Sequence, residues 1–533
     1  MIPDAHDMPS STDEKLSPET SGAVPAKAVI TTSRLELWCY YLYYVGNNGL
    51  SGFNFGPSQF QNLLFLAGYD PANEPFTTPC GTGGCVLPYL GQIRDVNSIV
   101  LLTNGISFAI QAVVLLIIGA WADYGQWRPN ITIFFTVVAV AVSFAWLGVE
   151  DATKWQAGFN LTFWTAAFPG LARDLPEVQE SYDLVISGEK LWSLLFITQR
   201  IDTDNFTGKK TMLGEIVILA IMVGILKAVK SEESTENNTR AFSVLLAFSG
   251  GVWLLCALPW FFFEQRRPGL DLPPGTNLLT VGIKQVYVAT RECWKLKQTF
   301  LYLLFYFLMG DVLNTTVTVV STLQNRHGFL DWTIVSYSTL DLTLLLIVGI
   351  AAQALGIYVH WFVQKRFKIP TKTMLLFNVF WIIILTIWGL IGVHTDRFGF
   401  KHVWEVWAYQ AYYGFVVCPW YAYSQTMISE VSPLPQMFLF FALFSVVGKT
   451  SAFIGPLVSS AIITASNNNN NMPFAFLFGL GVLSTIFLWM IDIDRSRKEC
   501  AEFIAAEGSR NAFSLDVQLT APVDHSGGEP RAK

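Results

Sequence analysis

Charge is scarce in this sequence. Asp, Glu, Lys and Arg together make up 14% of its 533 residues, against about 25% in an ordinary soluble chain. Such a deficit excludes a typical soluble domain and points to lipid as the surrounding medium. The net charge of −6 offers no basic surface, so no nucleic-acid partner is expected. Histidine is sparse too, with six residues scattered along the chain. No H-E-x-x-H, G-x-S-x-G or glycine-rich dinucleotide fingerprint occurs, so nothing argues for an enzyme, a cofactor or a bound metal. Gly448-Lys449-Thr450 ends like a phosphate-binding loop, but the glycine required upstream is Leu443, and the nucleotide reading fails.

Both ends lack an apolar core. The first 33 residues, rich in Pro, Ser and Thr, cannot bury enough surface to fold and are expected to form a disordered tail. They also lack the apolar run of a cleavable signal peptide, so targeting is expected to come from the first membrane span or an internal signal. Arg495 to Lys533 reads as a second polar tail.

Between the tails lies an abundance of hydrophobic residues, 52% of the chain, with 41 Phe and 18 Trp. A bilayer core about 30 Å thick takes about 20 mostly apolar residues per helix. Twelve stretches qualify: 36–56, 97–121, 131–149, 153–170, 212–229, 241–263, 299–321, 333–359, 373–393, 405–428, 437–464 and 473–491. The expected fold is therefore an all-α, polytopic membrane protein of twelve transmembrane helices in two six-helix bundles, 36–263 and 299–494. A central loop, 264–298, joins them, and tails cover 1–35 and 495–533.

Lys and Arg accumulate in the loops that would share a side with the tails, among them Arg266, Arg267, Lys284, Arg291, Lys365, Arg366 and Lys368. By the positive-inside rule both termini face the cytosol. Cys80 and Cys85, in CGTGGC, then lie on the far side, where a disulfide persists. A zinc site competes, but two cysteines without a nearby histidine cannot fill four positions. Asn237-Asn238-Thr239 lies on that side as well, making Asn237 the usable glycosylation acceptor.

Twelve spans in two sixes is the pattern of a major facilitator superfamily transporter. GAWADYGQWRP, with Gly119, Asp123 and Arg128, partly resembles the superfamily's G-x-x-x-D-R-x-G-R-K loop, although Tyr124 replaces its first basic residue. An Asp near a helix N-terminus with an Arg can latch the cytosolic side as a gate; the plainer alternative is an ordinary turn. Gly356 and His360 repeat the Gly119 and Asp123 spacing in the second half.

Two ionisable residues fall mid-span, Asp311 in FLYLLFYFLMGDVLNTTVTVV and Lys449 in MFLFFALFSVVGKTSAFIGPL. A charge there is costly unless paired or hydrated. Together they can grip a zwitterion, Lys449 taking its carboxylate and Asp311 its ammonium. Alternatively Asp311 carries a coupling proton, or the two form a structural ion pair.

YYVGNNGLSGFNFGPSQFQN, residues 43 to 62, collects glycines and amides at the end of a hydrophobic run. Broken helices are tolerated where they line a cavity, so Asn47, Asn48, Asn54 and Gln59 are candidate contacts for a polar substrate. The alternative is packing in a re-entrant or interfacial segment.

ELWCYYLYYVGNNGLSGFNFGPSQFQNLLFLAGYDP, GAWADYGQWRPNI and FWTAAFPGLARDLPEV together resemble the autophagy-related protein 22 family of fungal vacuolar membrane transporters, over about residues 34 to 495. The resemblance implies export of amino acids, released when autophagic bodies are degraded, from the vacuole to the cytosol during nitrogen starvation. Neutral aliphatic amino acids are the expected substrates and membrane lipids the surroundings, with proton coupling energetically available. A lipid or lysolipid carrier and a non-transporting factor for autophagic body breakdown are the rival readings.

Overall fold

In a computed structural model of the chain, the structure describes residues 34–71, 78–80, 85–123, 128–149, 151–161, 214–264, 277–324, 338–433 and 437–520. The tail 1–33 and the second half, 162–170, of the fourth expected span, 153–170, lie outside these residues; within that span 155–161 is described as α-helix. Among the described residues, eight helices are long and apolar enough to cross a membrane.

The chain enters as α1, Arg34–Gly46, followed by a π-helical turn, Leu50–Phe55, and α2, Gly56–Ala67. The first span expected to end at residue 56 therefore continues to Ala67, with Gln59, Gln61 and Asn62 buried in it. Polarity in this stretch marks interior helix contacts and not an interfacial segment, because amides that find partners inside a bundle need no water.

Beyond α2, a short antiparallel hairpin of β1, Val86–Tyr89, and β2, Gln92–Asp95, forms the one sheet among the described residues. Helices α3, Val96–Asp123, and α4, Arg128–Ala145, follow. The short helix α5 covers 155–161 and α6 covers 214–229. Helix α7, Thr235–Phe263, starts where the Ser234 side chain accepts the Asn237 backbone N–H, an N-cap that satisfies one of the first turn's free donors.

The central loop is not all loop. Leu278–Cys293 forms α8, which packs against α3 and α14. The second bundle comprises α9, Lys297–Gln324; α10, Thr339–Phe367; α11, Thr371–Ile391; α12, Val403–Tyr412, joined through a π turn, Tyr413–Val417, to α13, Pro419–Val431; α14, Met437–Ala465; and α15, Pro473–Met490. The span expected over 333–359 is shifted toward the C-terminus, because Ser338 caps α10 by accepting Leu340 N–H. The expected tail from Arg495 is helical as far as Thr520, in α16, Ile493–Thr520. Glu499 draws it against the bundle by accepting Gln298 N–H at 3.1 Å, and Phe503 packs on the core.

Apolar side chains gather in separate clusters. The largest is built mainly from residues 289–491, while two others draw mainly on 39–260. At the end of the molecule that carries the hairpin, Glu405 is fully buried and accepts four donors: Trp388 Nε1 at 2.9 Å, Gly399 N at 2.7 Å, Lys401 N at 2.7 Å and His402 N at 3.0 Å. Trp388 stacks on both Phe398 and Phe400. Glu405→Ala leaves these donors without an acceptor and is expected to cost about 2 kcal/mol or more. Thermal unfolding of the purified protein checks this: an unchanged midpoint would mean that water replaces the carboxylate.

Candidate functional site

The break between α1 and α2 is built from glycine and asparagine. Gly49 takes φ +82°, a left-handed conformation that favours glycine. Asn48 closes the turn locally, its amide donating to Val45 O at 3.3 Å and its Oδ1 accepting Leu50 N–H at 3.0 Å. Gly46 lies so close to α7 that a Cβ there would sit 2.9 Å from Trp253 Cα. The four amides singled out from the sequence have separate fates. Asn48 is occupied by the turn. Gln59 donates to Val149 O, Thr239 O and Ser243 Oγ, which ties α2 to α7. Asn54 is half-buried, and its carbonyl accepts Ser58 Oγ. Asn47 is buried, yet its Nδ2 lacks a hydrogen-bond partner of good geometry among the described residues, as does Trp253 Nε1 nearby. Both lie beside the Tyr43 hydroxyl, which is already 3.2 Å from Thr136 Oγ1. Three groups thus crowd one hydroxyl oxygen at the helix break.

Asp311 and Lys449 are about 21 and 18 Å along α9 and α14 from their starts. They are not partners. Asp311, buried, accepts Gly455 N–H at 2.8 Å and Thr315 Oγ1 at 3.2 Å. Gly455 permits this crossing, since a Cβ there would lie 1.8 Å from Thr315 Oγ1. Pro456 follows within the helix and, having no N–H, leaves a carbonyl one turn back without its bond. Gly448, Ser451 and Gly455 form the side of α14 that meets Tyr306, Gly310 and Asp311 of α9. Lys449 lies about 100–160° around the helix from that side. It shares instead the side of Leu457, Ser460 and Thr464, which meets α3. Asp311 therefore lies inside the second bundle, while Lys449, half-buried, is on the side of α14 turned to the first.

At the hairpin end the two bundles are joined by hydrogen bonds between hydroxyl, amide and backbone groups, with Asp341 of α10 within electrostatic reach of Lys227 and Glu232 of the first bundle. Ser98 Oγ of α3 lies 2.8 Å from Ser460 Oγ and 3.1 Å from Thr464 Oγ1 of α14. Gln61 Nε2 donates to Asn97 Oδ1 at 2.8 Å and across to Thr322 O of α9 at 3.0 Å. Asn238 Oδ1 of α7 accepts Thr339 N and Oγ1 of α10 at 3.0 and 3.1 Å. At about 1 kcal/mol each, these bonds sum to a few kcal/mol, a range that differential ligand binding can overcome. None of these contact residues was singled out as functional from the sequence. The only signal was the run of amides Gln59, Gln61 and Asn62, which gives no hint of the partners it meets from distant parts of the chain.

The remaining candidates are distributed as follows. Asp123 ends α3, which also contains Gly119, and Arg128 begins α4; the side chains of Asp123 and Arg128 lie outside the described residues. In the second half, Gly356 touches the π turn, where a Cβ would be 2.3 Å from Phe415 O, and His360 Nδ1 lies 2.8 Å from Gly356 O. Cys80 and Cys85 are joined by a disulfide that packs on Gly68. Asn237 is half-buried at the start of α7, its Nδ2 donating to Lys230 O.

Solved structures share this architecture. The D-xylose-proton symporter matches with a TM-score of 0.54 at 12% identity, over 86% of this chain and 98% of that one. A mutant of the nucleoside transporter NupG matches with 0.53 at 12% identity, over 86% and 100%. This is the major facilitator fold. Autophagy-related protein 22 of Gibberella zeae is 23% identical over 98% of this chain and 89% of its own length, and that of Pichia angusta 23% over 81% and 82%. The Neurospora crassa protein of that name is 22% identical over 79% of this chain, which spans 66% of the relative's length. The family model described as "Vacuole effluxer Atg22 like" matches residues 32–501, and the chain belongs to that family.

Proposed function

We propose that the protein moves amino acids, neutral aliphatic ones foremost, from the vacuole lumen to the cytosol by alternating access. The observation that carries this reading is the set of hydroxyl and amide hydrogen bonds that, among the described residues, closes the bundles against each other at one end only. Hydroxyl and amide groups do not titrate over the acidic to neutral range, while Asp341 of α10, within electrostatic reach of Lys227 and Glu232 of the first bundle, places titratable charge beside them. The family's description as a vacuole effluxer supports the compartment and the direction. The hairpin end faces the lumen in this scheme, and both termini face the cytosol.

Lys449, on the α3-facing side of α14, receives the substrate carboxylate as a charge-assisted hydrogen bond. Asn47, whose amide shares the Tyr43 hydroxyl with Trp253 and Thr136, lies at the helix break in the other bundle and supplies a second contact. Asp311 acts differently. Its carboxylate holds the Gly455–Pro456 segment of the helix that also bears Lys449, Ser460 and Thr464. Protonation removes the charge and weakens that acceptor, so a proton at Asp311 is transmitted along α14 to both the substrate contact and the gate.

Lys449→Ala and Asn47→Ala are expected to lower transport at least about tenfold and about threefold, with the protein still folded by size-exclusion profile. Equal loss of folded protein would assign Lys449 to structure. Asp311→Asn keeps an acceptor oxygen but cannot change charge; downhill transport should persist while proton movement stops. Unaltered proton movement would remove Asp311 from coupling. Radiolabelled leucine efflux from vacuoles with and without the protein, at matched ATP and luminal pH, tests the whole proposal. Unchanged efflux of leucine and of a wider amino-acid panel would favour a lipid carrier or the breakdown factor.

A further inference from the structure

Helix α8, Leu278–Cys293, belongs to none of the transport machinery described above. Its residues fall into three stripes. Gly282, Ala289 and Cys293 share one side and are buried against the bundle. Roughly a third of a turn round, Ile283, Tyr287 and Trp294 are 55%, 67% and 69% exposed. A further step brings Lys284, Arg291 and Lys295, which are exposed and basic. Each residue along the chain turns about 100°, so the helix shows a protein-facing side, an apolar side and a basic side in succession. The pattern continues just beyond the helix, where Trp294 N still donates to Thr290 O at 3.0 Å.

A soluble loop helix does not gain by exposing Ile, Tyr and Trp together. A helix lying in the membrane interface does, with apolar residues dipping below the headgroups and cations at their level. Depth is set by the next element. Trp294 packs edge-on against Phe300, ring centroids 4.8 Å apart, at the start of the membrane-spanning α9, which is the level where Trp and Tyr concentrate in membrane proteins. Lys295 is paired with Glu292 at 2.5 Å, so the charge available to a ligand comes chiefly from Lys284 and Arg291.

We propose that this stripe binds anionic phospholipid headgroups on the side of the membrane opposite the hairpin. The helix packs on both α3 and α14, one helix from each bundle, so a lipid held there restrains a contact that must change when the bundles rock. Anionic lipid in that leaflet thus becomes a regulator of the transporter, independent of which substrate it carries.

The test uses the purified full-length chain and its thermal unfolding midpoint, titrated with phosphatidylserine or phosphatidylcholine. Phosphatidylserine should raise the midpoint above the phosphatidylcholine value, and less so at high salt. In the Lys284→Gln/Arg291→Gln variant the phosphatidylserine concentration for half effect should rise roughly fivefold per charge removed, with the phosphatidylcholine midpoint unchanged. The charge-preserving Lys284→Arg/Arg291→Lys variant should behave like the native chain, which separates lost binding from lost folding. Equal response to both lipids, or an undiminished phosphatidylserine response in the Gln variant, overturns the proposal. So does an equal rise with inorganic phosphate alone, which would indicate a free-anion site, or a rise with polyglutamate while phosphatidylserine is inert, which would indicate an acidic protein partner.

Discussion

Inside a bilayer a backbone polar group has no water to turn to, so every departure from regular helix must find its partner within the protein. The departures here obey that constraint. Between α1 and α2, the Asn48 side chain bonds both sides of the break. Where α14 reaches Gly455 and Pro456, the Asp311 carboxylate comes across from α9 to meet the Gly455 N–H. At the head of α12, Glu405 collects the N–H groups of the loop that leads into it. Polar residues in an apolar chain thus mark the places where the backbone is irregular, and irregular backbone in a carrier marks where it bends or opens.

Helix α14 brings these features together. One side crosses α9 at close range through Gly448, Ser451 and Gly455, small residues that let backbones approach without a hydrophobic driving force between them. The other side carries Lys449 and the hydroxyls that meet Ser98. A single element therefore touches the second bundle's interior on one side and the first bundle on the other. A displacement on either side of such a helix is felt on the other, because it is packed closely on both.

Much of this was legible in the residues, for reasons that differ by feature. Spans such as Val96–Asp123 and Pro473–Met490 stood out because a hydrocarbon slab imposes a minimum length of apolar helix. The run past Gly52 was harder: its amides resemble an exposed segment, and only the positions of Thr239, Ser243, Asn97 and Thr322 show that they are interior. Helix α16 looked like a tail because its composition is polar, and composition does not register that Gln298 and the Val431 carbonyl await it.

By itself the sequence determined that this is a polytopic membrane protein, which stretches are apolar and long enough to cross a bilayer, and where ionisable residues fall within them. Those are matters of transfer free energy along a chain, additive over local windows. The direction each polar side chain faces was decided by tertiary structure. Asp311 and Lys449 lie at similar distances along their helices but not on facing sides, since depth follows from residue number while azimuth depends on which helices pack around each one. The contact between the bundles likewise exists only as a coincidence in space of Ser98 with Ser460, Gln61 with Thr322 and Asn238 with Thr339, and no local property of any one segment encodes the partner it meets.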